Sequence, residues 1–316
     1  MDGEALPVEK ELVIVGGGPA GLAAALYAAR LGLNAVLLEA KVVGGQAAEA
    51  AFIENYPGFE HIRGMELIDK MRSQVEKFGC EIREMEPVRK IVKEDGKLRV
   101  ITSSEEYVAD AVIIASGRER KKLGALGEEE FKGRGVSYCA TCDAPLYRGK
   151  RVVVVGGGNT AASEALYLSE VAKEVHLVHR REDLRAEKAL KERLKERGVI
   201  FHWNSVLKAI EGDQLVRRVV LQNLKTGEEE SLNVDGVFIA IGEIPSSRLA
   251  VDLGVNVDEE GYILVDRKQM TNVEGVFAAG DVTGGVMQVA TAVGEGAAAA
   301  VNAYLYIRKG WYGEGK

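Results

Sequence analysis

The chain has 316 residues, 47% hydrophobic and 28% charged, a globular composition sized for about two domains that excludes a disordered or fibrous chain. Its net charge of -7, with no long basic face, excludes a general nucleic-acid binder. Three cysteines are too few for a secreted disulfide scaffold, no apolar run is long enough to span a bilayer, and Met1-Asp2-Gly3-Glu4 lacks the order of a signal peptide; a soluble cytoplasmic enzyme is expected.

The first element is a short buried strand, Glu11 to Val15. Gly16-Gly17-Gly18-Pro19-Ala20-Gly21 follows at once, then a helix from Leu22 to Leu31 and a second strand, Ala35 to Leu38, ending on Glu39. This is a βαβ unit, and its glycines stand where a dinucleotide fingerprint needs them. Gly16 allows the tight turn, Gly18 lets the backbone approach a pyrophosphate, and Gly21 lets helix and strand pack closely. The helix N-terminus offers N–H groups to the phosphates, and Glu39 is placed to accept from a ribose. The bland alternative is a Gly-rich turn in an ordinary α/β protein.

The same grammar returns. Arg151 to Val155 is a strand, Gly156-Gly157-Gly158-Asn159-Thr160-Ala161 a turn, Ala162 to Glu170 a helix, and Val175 to Val178 a second strand. Here the strand runs into His179, Arg180 and Arg181, with Arg185 close by, instead of an acid. A carboxylate at that place would repel a 2′-phosphate, whereas guanidinium groups bind one by charge-assisted hydrogen bonds. The first site therefore suits FAD or NAD and the second NADPH. A solvated charge run is the alternative, since Glu182, Asp183, Glu187 and Lys188 are near.

Each unit ends in an apolar strand and a glycine, Asp110 to Gly117 and Asp235 to Gly242, and hinges are expected just after these glycines. The last segment, with Val276 to Asp281 and an Ala-rich helix from about Thr291 to Ile307, is too small for a domain and returns to the first. The expected fold class is thus α/β with two Rossmann-like dinucleotide-binding domains, the second inserted into the first. The first takes 1–117 and 245–316, the second 118–244.

Tyr138-Cys139-Ala140-Thr141-Cys142-Asp143 lies in the insert. A zinc site normally needs four ligands, and no second Cys pair or paired His exists, so no metal is expected and a redox dithiol is. A Cys-x-x-Cys at a helix start lowers one thiol pKa. Asp143 can exchange a proton with the leaving thiolate, or simply serve as an acid at a helix start. Cys80 reads as a small buried hydrophobe.

In these residues taken together, the chain resembles the low-molecular-weight thioredoxin reductases. The likeness runs from Val13 to about Ile307 and rests on Cys139 to Asp143, on His179 to Arg181 with Arg185, on Gly44-Gly45-Gln46, on Glu54 to Gly58, on Gly156 to Ala161 and on Gly275 to Asp281. It implies FAD in the first domain and NADPH in the insert. By position, Gly44, Gly45, Gln46 and Asn55 would line the flavin ring, and the Val88 backbone would lie near the adenine. Asp281, after Gly280, would bind the ribityl chain, and Gln288 and Val289 would meet the pyrimidine edge. Two departures stand out: Met287 where the family often has Arg, and Glu243 where some members have His.

The resemblance implies electron flow from NADPH to flavin, to the Cys139–Cys142 disulfide, and on to thioredoxin or a glutaredoxin-like protein disulfide oxidoreductase. Cys142 is the sulfur facing the flavin and Cys139 the one that attacks substrate. It also suggests a homodimer. Nicotinamide and dithiol both belong to the insert and both need the flavin, so two arrangements related by rotation at the hinges are expected. Other classes remain. Arg180 and Arg181 speak against an oxygen-using flavin disulfide oxidase, the dithiol against a flavin reductase feeding a ferredoxin, and the dithiol beside an acid against a non-enzymatic flavin scaffold. The reductase subunit of a peroxidase system would carry its own N-terminal thioredoxin-like domain, for which the stretch before Val13 leaves no room.

Overall fold

The computed structural model describes residues 6–50 and 53–308; the start read above, Met1 to Glu4, lies outside them. In chain order come β1 (Val8–Val15), α1 (Pro19–Arg30), β2 (Ala35–Leu38), α2 (Gly45–Ala48), α3 (Gly64–Lys77), β3 (Glu81–Arg83), β4 (Lys90–Glu94), β5 (Lys97–Ile101) and β6 (Glu106–Ile114). Past β7 (Arg118–Arg120) follow β8 (Val136–Ser137), α4 (Ala140–Asp143), β9 (Arg151–Gly156), α5 (Asn159–Leu168), β10 (Glu174–His179), α6 (Lys188–Glu196), β11 (Ile200–Trp203), β12 (Ser205–Gly212), β13 (Val216–Asn223), β14 (Glu229–Asn233) and β15 (Gly236–Ala240). The chain returns through β16 (Glu243–Pro245) to α7 (Arg248–Asp252), β17 (Val276–Ala278) and α8 (Val289–Ile307). It falls into two compact units, one of residues up to Glu119 and from Ile244 on, the other of Arg120 to Glu243.

In the first unit the strands run in the order β3-β2-β1-β6-β5-β4, with β17 also paired to β6. The β3, β2, β1, β6 and β17 pairings are parallel, and β4 and β5 add an antiparallel edge. Alternation along β1 sends Leu12 and Ile14 to one buried face and Val13 and Val15 to the other, as β2 does with Leu37 against Val36 and Leu38. A strand covered on both faces reads as a continuous apolar run, which is why these strands are visible in the sequence. Cutting Leu37, wholly buried, back to Ala would cost about 2–5 kcal/mol.

Helix α8 explains its own alanines. Ala299, Ala300 and Ala303 are wholly buried, and a Cβ on Gly296 would stand 2.1 Å from the Ala20 carbonyl oxygen. Small side chains let α8 lie close against the start of α1, where the first glycine turn ends.

The second unit repeats the plan with a five-stranded parallel sheet, β11-β10-β9-β15-β8, and adds an antiparallel sheet, β12-β13-β14. Val152 and Val154 face one core, Val153 and Val155 the other. Each unit is Rossmann-like. In each, the strand before the glycine turn has neighbours on both sides, β2 and β6 around β1, and β10 and β15 around β9. The turn therefore opens at the carboxyl ends of the strands, at the switch point where such sheets bind ligands.

Helix α5 begins at Asn159, three residues before the expected Ala162, because the last residues of the glycine turn are already its first turn. Likewise α1 begins at Pro19, the first helical position, where its fixed φ and missing N–H cost nothing. Strand β10 extends to His179, so this residue belongs to the sheet.

Candidate active site

The first glycine turn has two kinds of glycine. Gly16 has φ +109°, and a Cβ there would meet the Ala115 carbonyl oxygen at 2.4 Å; one on Gly21 would stand 1.8 Å from the Gly16 oxygen. These two are required by packing. A Cβ on Gly18 would meet nothing within 4 Å, so packing within the chain does not require that glycine. The open space beside Gly18, at the start of α1, is the cradle a phosphate would use. Glu39 accepts the N–H of Gly17 through Oε2 at 2.6 Å and that of Lys41 through Oε1 at 2.8 Å. Each oxygen keeps a second lone pair for a ribose hydroxyl.

The residues expected around a flavin fall in the same unit. Gln46, on α2, donates from Nε2 to the Arg118 carbonyl at 2.9 Å. Gly44 and Gly45, both at positive φ, form the entry to α2. Asn55 donates to Oε1 of Gln288 at 2.9 Å. Gln288 is the N-cap of α8, in a capping box with Thr291, and Val289 is the first residue of that helix. Val88 packs against the core beneath β6. Gly280 has φ +79° and a Cβ there would meet that of Ala20 at 2.8 Å, which sets Asp281 close to the start of α1. Asp281 accepts two hydrogen bonds from Arg118 on one oxygen, Oδ2, at 3.2 and 3.1 Å.

The second turn is built alike. A Cβ on Gly156 would stand 2.4 Å from the Ala240 carbonyl oxygen, which forces a glycine there, whereas Gly158 again has nothing within 4 Å. Asn159 and Thr160 open α5, and Asn159 exchanges hydrogen bonds with Glu187. A Cβ on Gly157 would meet the His179 ring at 2.1 Å. His179 is only 7% exposed, and burial first, then Arg181, Arg185 and Arg180, pushes its pKa down. Burial and the neighbouring arginines thus favour the neutral ring, which faces the glycine turn while the arginines are exposed.

Arg180, Arg181 and Arg185 are exposed, and among the described residues none makes a side-chain hydrogen bond or ion pair. The acids beside them are occupied elsewhere: Glu182 pairs with Lys225 and Asp183 with Lys191, each at 2.7 Å. The Arg185 backbone N–H bonds to Gly157 at 2.8 Å, which ties this arginine to the glycine turn. Three uncommitted guanidinium groups thus stand at the end of β10. The open glycines and this donor set fit a dinucleotide in each unit, the second with a phosphate on its ribose.

Cys139 and Cys142 form a disulfide, with Cα atoms 5.4 Å apart, across the first turn of α4. Asp143 is the last residue of α4. Its Oδ2 accepts the Ser137 hydroxyl at 2.7 Å, and its Oδ1 is buried without a hydrogen-bond partner. Burial raises its pKa, while Ser137 and then Arg120 act in the other direction. A carboxyl so placed is easier to protonate than an exposed one and suits proton exchange with a thiolate. Cys80 is buried and free, and burial pushes its thiol up to about 11, so it takes no part. No group of His, Cys, Asp or Glu among the described residues is arranged to hold a metal.

Sequence reading missed four residues here. Ser137 is the partner of Asp143. Glu164, on α5, has a buried Oε2 without a partner, and burial pushes its pKa up to about 7, against a hydrogen bond from the Ala140 N–H of the redox helix. Glu295, on α8, accepts the Gly280 N–H at 2.7 Å and holds the turn before Asp281. Arg118 clamps Asp281. A signal existed for the two glutamates. Glu164 falls in the stripe of Ala161, Ala165 and Leu168, and Glu295 in that of Ala292 and Ala299, so each is an acid on an apolar helix face.

Comparison with known proteins gives consistent results. The family model described as pyridine nucleotide-disulphide oxidoreductase matches residues 10–296. A thioredoxin reductase of Listeria innocua is 44% identical over 304 residues, 95% of this chain and 94% of that relative. One of Treponema pallidum is 45% identical over 305 residues, 96% and 98% of the two chains. The crystal structure of thioredoxin reductase from Streptococcus pyogenes has a TM-score of 0.91 at 42% identity, covering 96% of this chain and 100% of that one.

Proposed function

Belonging to the pyridine nucleotide-disulphide oxidoreductases, the chain is a disulfide reductase of the thioredoxin reductase kind, and we propose that its electrons pass from NADPH through FAD to the Cys139–Cys142 disulfide and on to a thioredoxin-like protein. The observation that carries the reading is the Cys139–Cys142 disulfide on its short helix, with the buried Asp143 beside it.

Bound FAD would supply two-electron chemistry between a nicotinamide hydride and a disulfide. The chain's own residues do the rest. Gly18, Ala20 and Gly21 would bring N–H groups to the FAD pyrophosphate, Gly16 and Pro19 would shape the turn that presents them, and Glu39 would accept from its ribose. Gly156, Gly158, Asn159 and Thr160 do the same for NADPH, with Arg180, Arg181 and Arg185 on its 2′-phosphate. Two electrons and two protons break the S–S bond and leave two thiols. Cys139, giving its proton to Asp143, then attacks a protein disulfide, forming a mixed disulfide and expelling a thiolate that takes that proton from Asp143. Cys142 attacks the mixed disulfide, the S–S bond to Cys139 re-forms, and the substrate leaves as a dithiol. A homodimer and a cytoplasmic location complete the reading.

Anaerobic titration tests it. NADPH should bleach the bound flavin much more readily than NADH, and a protein disulfide should restore the colour. Cys139→Ser and Cys142→Ser should each keep FAD and bleaching but lose turnover of the protein disulfide. Full turnover in either variant would remove the dithiol from the pathway.

A further inference from the structure

We infer that Arg118 is a positioning residue for the flavin, one that holds the Asp281 carboxylate ready for the ribityl chain and keeps a cation beside it. This rests on the proposed FAD site of the first unit.

Arg118 is fixed at both ends. Its carbonyl accepts from Gln46 at 2.9 Å, and its guanidinium donates from Nε and Nη2 to Oδ2 of Asp281 at 3.2 and 3.1 Å. The pair is partly buried, its side chains 15% and 24% exposed. Gln46 and Asp281 are both expected at the flavin, and Arg118 joins them. Both bonds end on Oδ2, which leaves Oδ1 to accept a ligand hydroxyl.

The turn that carries Asp281 has its own supports. The Gly280 N–H is held by Glu295 at 2.7 Å, the Thr283 N–H by the Gly280 oxygen at 2.8 Å, and the Ile263 N–H by the Val282 oxygen at 2.9 Å. The two Arg118 bonds reach the Asp281 side chain and not that backbone, so they orient one carboxylate. Arg118 also balances charge, because Glu295 lies near enough for Asp281 to raise its pKa, after the larger effect of burial. Without Arg118 the turn would present a carboxylate to the flavin with its cation gone, and reduction adds negative charge to the flavin.

The test uses the full chain with FAD. R118M should weaken FAD binding about tenfold, the loss expected of a charge-assisted bond. In a D281N background the same change should cost much less affinity, since its target has lost its charge. R118M should also lower the flavin midpoint potential, while R118K, which keeps the charge but loses the fork, should restore the potential and only part of the affinity. An R118M protein with unchanged affinity, an undiminished loss in D281N, or an unmoved potential would each overturn the inference. If R118M does not fold, R118K with reduced affinity and an unchanged potential supports it, and R118K identical to the wild type in affinity overturns it. A wild-type chain that binds no FAD would instead overturn the function proposed above.

Discussion

The Ser137 hydroxyl donates to Asp143 at 2.7 Å while its oxygen accepts the N–H of Cys139 at 3.1 Å. One side chain thus joins the acid to the residue that begins the redox helix. A hydrogen bond to the charged carboxylate lowers its pKa, so removing the bond raises it.

Ser137→Ala should therefore move the Asp143 ionisation to higher pH. The inflection should shift upward in the pH profile of turnover with a protein disulfide, and should vanish in Asp143→Asn. A profile unmoved by Ser137→Ala would detach Asp143 from the rate.

Gly18→Ala and Gly21→Ala should fail in different ways. Gly18 has φ -75° and ψ -175°, which any residue adopts, and open space where a Cβ would go. Its alanine variant should unfold like the wild type without cofactor but bind FAD weakly. Gly21→Ala puts a carbon 1.8 Å from the Gly16 oxygen and should destabilise the unit itself. Thermal unfolding with FAD removed, together with FAD titration, separates the two. Equal unfolding temperatures would show that the turn relaxes freely.

Replacing Arg180 and Arg181 together by Ala should raise the KM for NADPH and leave that for NADH nearly unchanged. Each lost charge-assisted bond is worth about 1.5–3 kcal/mol. Equal losses for both nucleotides would mean that the arginines do not read the phosphate.

Glu164 predicts a pH dependence of stability. Its pKa in the folded unit, about 7, stands above the ordinary 4.5. Between those values the folded unit holds a proton that the unfolded chain has released, so this group's contribution falls as pH rises through the window. Glu164→Gln should match the wild type near pH 5 and exceed it near pH 8 by about 1–3 kcal/mol, at roughly 1.4 kcal/mol per pKa unit. Urea unfolding at both pH values measures the gap, and a gap that does not widen removes the buried charge.

What was legible in the sequence was local. The strand, glycine turn, helix and second strand of each βαβ unit are contiguous, so short-range periodicity and the glycines exposed both units. Cys139 and Cys142 lie three residues apart, and α4 brings them together. Two of the missed residues act at a distance. Arg118 meets Asp281 across 163 positions, and Glu295 meets Gly280 across 15. Their pairing depends on how β6, β17 and α8 assemble, which no window of sequence contains. The burial of His179 was hidden for a related reason. As a letter it belongs with the arginines, but the pleat of β10 turns it inward.

The His179 ring fills the space that makes Gly157 a glycine, while Arg180 and Arg181 beside it are exposed and uncommitted. Shape and charge at this end of the sheet are thus assigned to neighbouring but separate residues. Substitutions at 180 and 181 disturb no packed contact, whereas a larger residue at 157 or 179 would dislodge the turn. On the proposed NADPH reading, a lineage with this architecture would drift between phosphorylated and unphosphorylated nicotinamide donors through its surface, leaving the interior of the second unit unaltered.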